Sequence, residues 1–473
     1  MKDGHYLILH VEDSENRYTN YRNMVSSTLN KAGIQHELHW VSTVSDATKF
    51  ILNYRDCLDL ILLDITLTEN GSETGLDLVN IIWDKICFSI PIFIVSSNVS
   101  LYKHVLEQLK SSQKIVGYSE SMDEVWTDQL GPILQGREIS LLHLSDIHEG
   151  QFFALQDLTV PEGSIIRNLC HRLGKIDFVV ISGDISSINA KEDYRNAQKL
   201  LNSLKENLGL PASRFVFVPG NHDRNWDNTD SHTFSLFLHF IRDFYGEAGL
   251  PSIGYYPDLG LQDYSNPQSV FDNLFSIAVF PEQKSLVVGF NSVNPRDTRH
   301  NHDIRCGGIE GDSACGLISG GEITSEQIVN VQNELDELYR QHPKVRGYTK
   351  IAVFHHNVFE APHIFEMDWR PTLINEGNVL AFLTKHGFRF VLHGHLHYAE
   401  NYFFRIYSEP QGINIISAGT FSGKDHALDS NFCANKITYY VDAGGTMTKP
   451  KLRRFTIPRD RLDWDETELL LNL

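Results

Sequence analysis

Apolar runs in this chain repeatedly stop at a carboxylate, an amide or an imidazole, and that repetition constrains the fold more than any other feature. YLILHV (6–11) stops at Glu12-Asp13, and DLILL (59–63) at Asp64. EISLLHLS (138–145) runs into Asp146 and His148, IDFVVIS (176–182) into Gly183-Asp184, and RFVFVP (214–219) into Gly220-Asn221-His222-Asp223. TKIAVF (349–354) leads to His355, and FRFVL (388–392) to His393-Gly394-His395-Leu396-His397. Short apolar runs bounded by turn residues read as buried strands. Strands that each deliver a polar group at the same end imply sheets whose carboxyl edge gathers ligands. Asp and His seldom bury unpaired, so packing alone does not explain the strand ends between Asp146 and His397. Their N and O donors suit divalent transition metals that activate water.

Between the first two runs, Met24, Val25 and Leu29 recur at helical spacing within 19–32, and Gly33 suits a helix C-cap. A further strand, 90–95, precedes Ser96 and Ser97. This alternation predicts an open, doubly wound parallel sheet with Glu12, Asp13, Asp64 and Ser96 at its carboxyl edge. A chain of 473 residues exceeds one ordinary core, so more than one domain is expected. The hydrophobic fraction of 41% and charged fraction of 21% exclude disordered and fibrous classes. A net charge of −19 argues against a surface that coats nucleic acid. No apolar stretch has the length of a membrane span or the form of a signal peptide, so a cytoplasmic location and no membrane partner are expected. The six cysteines form no close metal-binding pair and read as reduced thiols.

Within residues 1–136, V-E-D (11–13), L-L-D-I (62–65), G-L-D-L (75–78) and P-I-F-I-V-S (91–96) resemble a response-regulator receiver domain of flavodoxin-like fold. The resemblance implies that Asp64 accepts a phosphoryl group, that Glu12, Asp13 and Asp64 hold Mg²⁺, and that Ser96 is the switch residue. It also implies a histidine kinase partner. One residue of the pattern is missing: Gly117-Tyr118 runs into Ser119-Glu120-Ser121 where receivers carry a Lys, and Lys114 lies on the wrong side of that pair. A closing helix is expected over 121–135, with Ser121 and Glu124 at capping-box spacing. The short connection Gln135-Gly136-Arg137 leaves the two domains in touch.

The remainder, 137–473, carries D-x-H, G-D, G-N-H-D, H and G-H-x-H in order. Over about 138–425 this set resembles the calcineurin-like metallophosphoesterase superfamily and implies a four-layer α/β/β/α domain. By that resemblance Asp146, His148 and His397 hold one divalent metal, Asn221, His355 and His395 a second, and Asp184 bridges them. The donor set accepts Mn, Fe, Zn or Ni. His222 stabilises charge or protonates the leaving group, and Asp223 orients its ring. His143, His393 and His356 read as structural or supporting. Thr324 and Gln327 cap a core helix. Insertions are expected near 225–282, where an aromatic helix could cap the metals, and 294–321, where Arg296, Arg299 and Arg305 could bind substrate phosphate.

The implied function is a metal-dependent phosphohydrolase, a phosphodiesterase by the form of its motif string, regulated by the receiver-like domain. Expected partners are a phosphoester substrate (cyclic nucleotide, other phosphodiester or nucleic-acid end) and a second copy in a homodimer. A nuclease with the same centre and a non-catalytic signalling adaptor are the alternatives. The charge weighs against the first and the intact donor set against the second.

Overall fold

The computed structural model describes residues 5–31, 35–54, 58–67, 74–82, 90–111, 114–120, 137–148, 165–225, 232–246, 249–257, 259, 267–293, 320–359, 372–406, 412–421, 431–441, 447–458 and 464–472. The N-terminal domain runs β1 (His5–Val11), α1 (Glu15–Lys31), β2 (Gln35–Val41), α2 (Val44–Tyr54), β3 (Leu58–Leu63), α3 (Gly75–Ile81), β4 (Ile92–Val95), α4 (Val99–Ser111) and β5 (Gly117–Ser119). All pairs are parallel and the order is β2-β1-β3-β4-β5. This is the doubly wound sheet the alternation predicts. Ile8, Leu60, Leu62 and Phe93 pack with Val25 and Leu29 of α1, while Leu9, Val11, Ile61 and Leu63 pack with α2 and α3. Burial on both faces is why β1, β3 and β4 appear as unbroken apolar runs. The strand order reverses between β1 and β3, so Glu12 and Asp64 leave adjacent strand ends at the switch point. The helix expected over 121–135 lies outside the described residues.

The second domain contributes β6 (Arg137–Leu144), α5 (Ile165–Leu173), β7 (Phe178–Ile181), α6 (Lys191–Leu208), β8 (Phe215–Phe217), α7 (Ser235–Tyr245), α8 (Pro267–Asn273), β9 (Phe275–Phe280) and β10 (Ser285–Phe290). There follow α9 (Ser325–Gln341), β11 (Thr349–Val353), α10 (Glu376–Lys385), β12 (Phe388–His393), β13 (Asn401–Phe404), β14 (Ile413–Ser417), β15 (Asn431–Val441), β16 (Met447–Pro458) and β17 (Asp465–Leu470). One six-stranded sheet has the order β13-β14-β12-β11-β10-β9, the other β17-β16-β15-β6-β7-β8. Ile139, Leu141, Phe178, Val180, Phe390 and Leu392 fill the space between the sheets. The alternate residues Leu142, Leu144, Val179 and Ile181 turn outward onto α5, α6 and α7, and Val288 and Ala352 of the other sheet pack with α9 and α10. The four layers are therefore α/β/β/α, as expected.

The region expected as an insertion near 225–282 contains scaffold. Phe237, Leu238, Phe240, Ile241, Phe244 and Tyr245 bury α7 in the outer helical layer, and β9 pairs antiparallel with β10 as a sheet edge. The aromatic helix packs on α6 and β8 because its apolar residues recur every three to four positions and need a sheet face to cover them. The segment expected as an insertion near 294–321, with Arg296, Arg299 and Arg305, lies almost entirely outside the described residues. The domains touch: Lys344 Nζ is 3.4 Å from Asp59 Oδ1, and Asp59 Oδ2 accepts the Leu7 N–H at 2.9 Å. Among the described residues no helix is long and apolar enough to cross a membrane.

His10 is buried at 1% exposure, with Tyr18 and Tyr21 at ring-centroid distances of 5.7 Å. Burial pushes its pKa down to about 4. The unfolded chain therefore takes up a proton near pH 6.5 that the folded one refuses, and this contribution to stability is lost as pH falls from 6.5 toward 4. Between pH 7 and pH 5 the loss is on the order of 2 kcal/mol. Unfolding midpoints at the two pH values should differ less in a His10→Leu variant than in the parent; an equal difference would refute this account.

Candidate metal centre

The strand ends of the second domain are bent into an unusual backbone conformation. Among the described residues, seven other than glycine have positive φ, and five are expected ligands: Asp146 (52°), His148 (47°), Asp184 (52°), His395 (76°) and His397 (55°). Each left-handed residue costs roughly 1–3 kcal/mol unless its surroundings hold it there. Backbone bonds between neighbouring strand ends supply that restraint: Asp146 N to Gly183 O, His148 N to Asp184 O and Gly394 N to His355 O, each at 3.0 Å.

The bends turn donor atoms toward two adjacent points. Donor atoms of Asp146, His148, Asp184 and His397, all buried, lie within 4.8 Å of one another. His148 Nε2 is 2.8 Å from His397 Nε2, which is 3.2 Å from Asp146 Oδ1. At that distance the two nitrogens share one proton in a hydrogen bond, and with that proton displaced both lone pairs could turn to one cation. On the other side, His355 Nε2 is 3.1 Å from Asp184 Oδ2 and 3.1 Å from Asn221 Oδ1, and His395 Nδ1 lies 3.3 Å from His355 Nε2. Asp184 Oδ2 also faces His148 Nε2 at 3.6 Å, so this carboxylate adjoins both groups. The two donor sets fit two divalent metals of borderline character.

The electrostatics agree with that fit. Burial alone would raise the pKa of Asp184, but His355, His222 and His148 outweigh it and hold the carboxyl well below its ordinary range. Asp146 is likewise held down by His397, His148 and His355 against the effect of burial. Burial tends to lower His355, yet the Asp184 and Asp146 charges lift it to about 9. A metal bound by the His355 lone pair would displace the proton that this negative site draws onto the ring, and the proton would leave to solvent.

Ring orientation is set by backbone carbonyls. His355 Nδ1 donates to Ser182 O at 2.8 Å, which turns Nε2 toward Asp184. His222 Nδ1 donates to Ser187 O at 2.6 Å, and its backbone N–H donates to Asp184 Oδ1 at 2.8 Å. The expectation that Asp223 orients His222 is corrected here. The Asp223 carboxylate accepts the N–H groups of Ile185, Ser186 and Gly220 and the Tyr194 hydroxyl, and so ties the Asp184 loop to the Asn221 loop. Burial and the nearby Asp184 charge raise its pKa to about 6. A carbonyl leaves no mark in the sequence, which is why the role of Ser187 could not be read there.

Two glycines are required for different reasons. Gly183 has φ of 99°, a conformation side-chain-bearing residues avoid. Gly220 is a matter of space, since a Cβ there would stand 2.1 Å from Asp184 Oδ1. His143 is fully buried with Nε2 2.9 Å from Ser182 Oγ, and burial lowers its pKa to about 3, as befits a structural histidine.

In the N-terminal domain, Glu12, Asp13 and Asp64 gather as expected. Burial, and next the Asp64 charge, raise Glu12 to about 7. A cation does approach these carboxylates: Arg17, on the first turn of α1, places Nη1 3.2 Å from Asp64 Oδ2 and 3.8 Å from Glu12 Oε1. Ser96 is buried at the end of β4, where its hydroxyl accepts the Asn98 N–H at 3.3 Å and its own N–H donates to Ser119 O. Tyr118 turns its hydroxyl to Glu107. In the second domain, the space argument at Gly220 makes a direct prediction: Gly220→Ala should retain the parent's far-UV circular dichroism while binding Mn²⁺ roughly tenfold or more weakly in calorimetry. Parental affinity would contradict it.

The calcineurin-like phosphoesterase family profile matches residues 139–399. No curated protein matches the chain in sequence. Among solved structures, a purple acid phosphatase from yellow lupin (Lupinus luteus) seeds is 14% identical with a TM-score of 0.38, covering 71% of this chain and 54% of its own. A putative 5'-nucleotidase from Staphylococcus aureus, solved with alpha-ketoglutarate, is 13% identical with a TM-score of 0.33, covering 66% of this chain and 52% of its own. The chain thus spans about half the length of each. A response regulator receiver domain protein from Clostridium thermocellum, 13% identical with a TM-score of 0.21, covers 27% of this chain and 90% of its own. With more than half of its residues matched by the family profile and the donor-bearing strand ends inside that match, this chain belongs to the calcineurin-like phosphoesterases.

Proposed function

We propose that the protein is a phosphodiesterase whose hydrolytic centre is regulated by its N-terminal receiver-like domain. The observation that carries the reading is the pair of donor groups meeting at Asp184, with His222 fixed beside them. Asp146, His148 and His397 would hold one metal, Asn221, His355 and His395 the other, and Asp184 both. Two such ions supply an activated water and neutralise phosphoryl oxygens. The chain's own contribution is positional. Asp184 accepts the backbone N–H of His222, Ser187 fixes the ring through Nδ1, and Nε2 is left as the atom that can pass a proton to the departing oxygen. The charges acting on Asp146 and Asp184 come from imidazoles. The diester reading rests on the motif string D-x-H, G-D, G-N-H-D, H and G-H-x-H, which resembles that of the family's phosphodiesterases.

In the N-terminal domain Asp64 would take the phosphoryl group, with Glu12 and Asp13 around a Mg²⁺ ion. Arg17 supplies the cation that the segment after Gly117-Tyr118 lacks, and Ser96 stands at the neighbouring strand end. The Asp59–Lys344 contact joins the start of β3, whose other end leads to Asp64, to the segment preceding β11, which leads to His355.

With Mn²⁺ the protein should hydrolyse bis-p-nitrophenyl phosphate faster than p-nitrophenyl phosphate. His222→Ala should lower kcat about 10²–10⁴-fold while retaining bound metal, and Asp184→Ala should lose metal and activity together. No turnover of either ester with Mn²⁺, Fe²⁺, Zn²⁺ or Ni²⁺ would refute the hydrolase reading. Acetyl phosphate should change the rate in the parent but not in Asp64→Asn, and an unchanged parent rate would remove the regulatory half of the proposal.

A further inference from the structure

Ser292 and His356 lie outside the donor set, yet they sit where three of its supports meet. β10 and β11 run parallel with Gly289 opposite Val353. Continued past the last paired residues, that register brings Asn291 and Ser292 alongside His355 and His356. The side chain of Ser292 takes over from the ladder there: its Oγ accepts the backbone N–H of His355 and of His356, each at 3.1 Å, and lies 2.9 Å from His356 Nδ1. One oxygen therefore fixes two consecutive peptide groups and a ring.

Ser292 is itself held rigidly. Its carbonyl accepts the Glu322 N–H at 2.9 Å. The preceding residue, Asn291, is clasped by Gln327 at the start of α9, through Asn291 N to Gln327 Oε1 at 2.9 Å and Gln327 Nε2 to Asn291 O at 3.1 Å. The His356 ring then faces His395, with centroids 4.4 Å apart. Gly321 makes room for it, since a Cβ there would lie 2.4 Å from His356 Cγ. His395 needs such a wall because its backbone is in the left-handed region, with φ of 76°.

We propose that Ser292 and His356 are positioning residues for the group formed by His355, His395 and Asn221, with Ser292 setting the His355 backbone and the His356 ring setting that of His395. The inference rests on the reading that these residues hold the second of two metals. Loss of such outer supports weakens metal binding about 10–100-fold in general. The larger effect should fall on that one site: the Asp146 carboxylate accepts the His395 N–H at 3.1 Å, but the Asp146 and His148 carbonyls are held by the Thr420 and Ser187 hydroxyls, which Ser292 and His356 do not touch.

The test is Mn²⁺ binding to the full chain, followed by calorimetry and by the electron paramagnetic resonance signal of a coupled ion pair. The parent should bind two ions and show the coupled signal; a single ion would refute the two-site reading itself, before any variant is considered. Ser292→Ala and His356→Ala should each weaken one ion about 10–100-fold, leave the other within about threefold, and replace the coupled signal by that of isolated Mn²⁺. His356→Phe keeps a ring against His395 and should restore the second ion to within about threefold of the parent. The inference is overturned if both alanine variants keep two ions at parental affinity, if both ions weaken equally, or if phenylalanine behaves as alanine does.

Discussion

Everything in the second domain is arranged around the Asp184 carboxylate. One oxygen accepts the His222 N–H at 2.8 Å, and the other faces His355 at 3.1 Å and His148 at 3.6 Å, in a site where the residue is 1% exposed. A buried charge without compensation costs several kcal/mol, so this carboxylate is tenable only where positive charge and N–H donors converge on it. That requirement selects the neighbours. Gly220 must lack a side chain, Gly183 must turn through a positive φ, and Asp223 must tie the two loops so that the donors stay aimed.

The same requirement explains why strain is concentrated here. Five expected ligands occupy left-handed backbone, together costing an amount comparable to the net stability of an ordinary domain. The sheets can carry that load because apolar residues cover both faces of each, leaving the strand bodies no freedom to relax the bend at their ends. A cation held between the carboxylates would bind only the strained form and so stabilise the fold by mass action.

How much of this could be read from the sequence follows from the same physics. β1, β3, β6, β7, β11 and β12 could be read because strands buried on both faces are written as apolar runs, and their ends because Asp and His are conspicuous there. β2 could not: QHELHWV is an edge strand with exposed and half-buried positions and no apolar run. The aromatic residues of α7 were visible, but their destination was not, because a helix buried against a sheet and one lying over a cleft carry the same spacing. The contributions of Ser187 and Ser292 were hidden for a different reason. One acts through a carbonyl that every residue possesses, the other through a hydroxyl whose meaning depends on the strand register beside it.

The two carboxylate clusters solve their charge problem in opposite ways. Around Asp184 two of the three compensating imidazoles, His355 and His148, are buried to 0% and 1% exposure, and the third, His222, is half-buried. Around Asp64 the compensating group is Arg17, whose side chain is 49% exposed. An ion pair with one partner in water is weak, and its long side chain can leave without opening the core. Burial, and next the Asp64 charge, raise Glu12 to about 7, and the opposing pull of Arg17 is smaller than either. The N-terminal cluster is thus balanced by a tethered, half-exposed cation, and the Asp184 centre chiefly by imidazoles packed into the core.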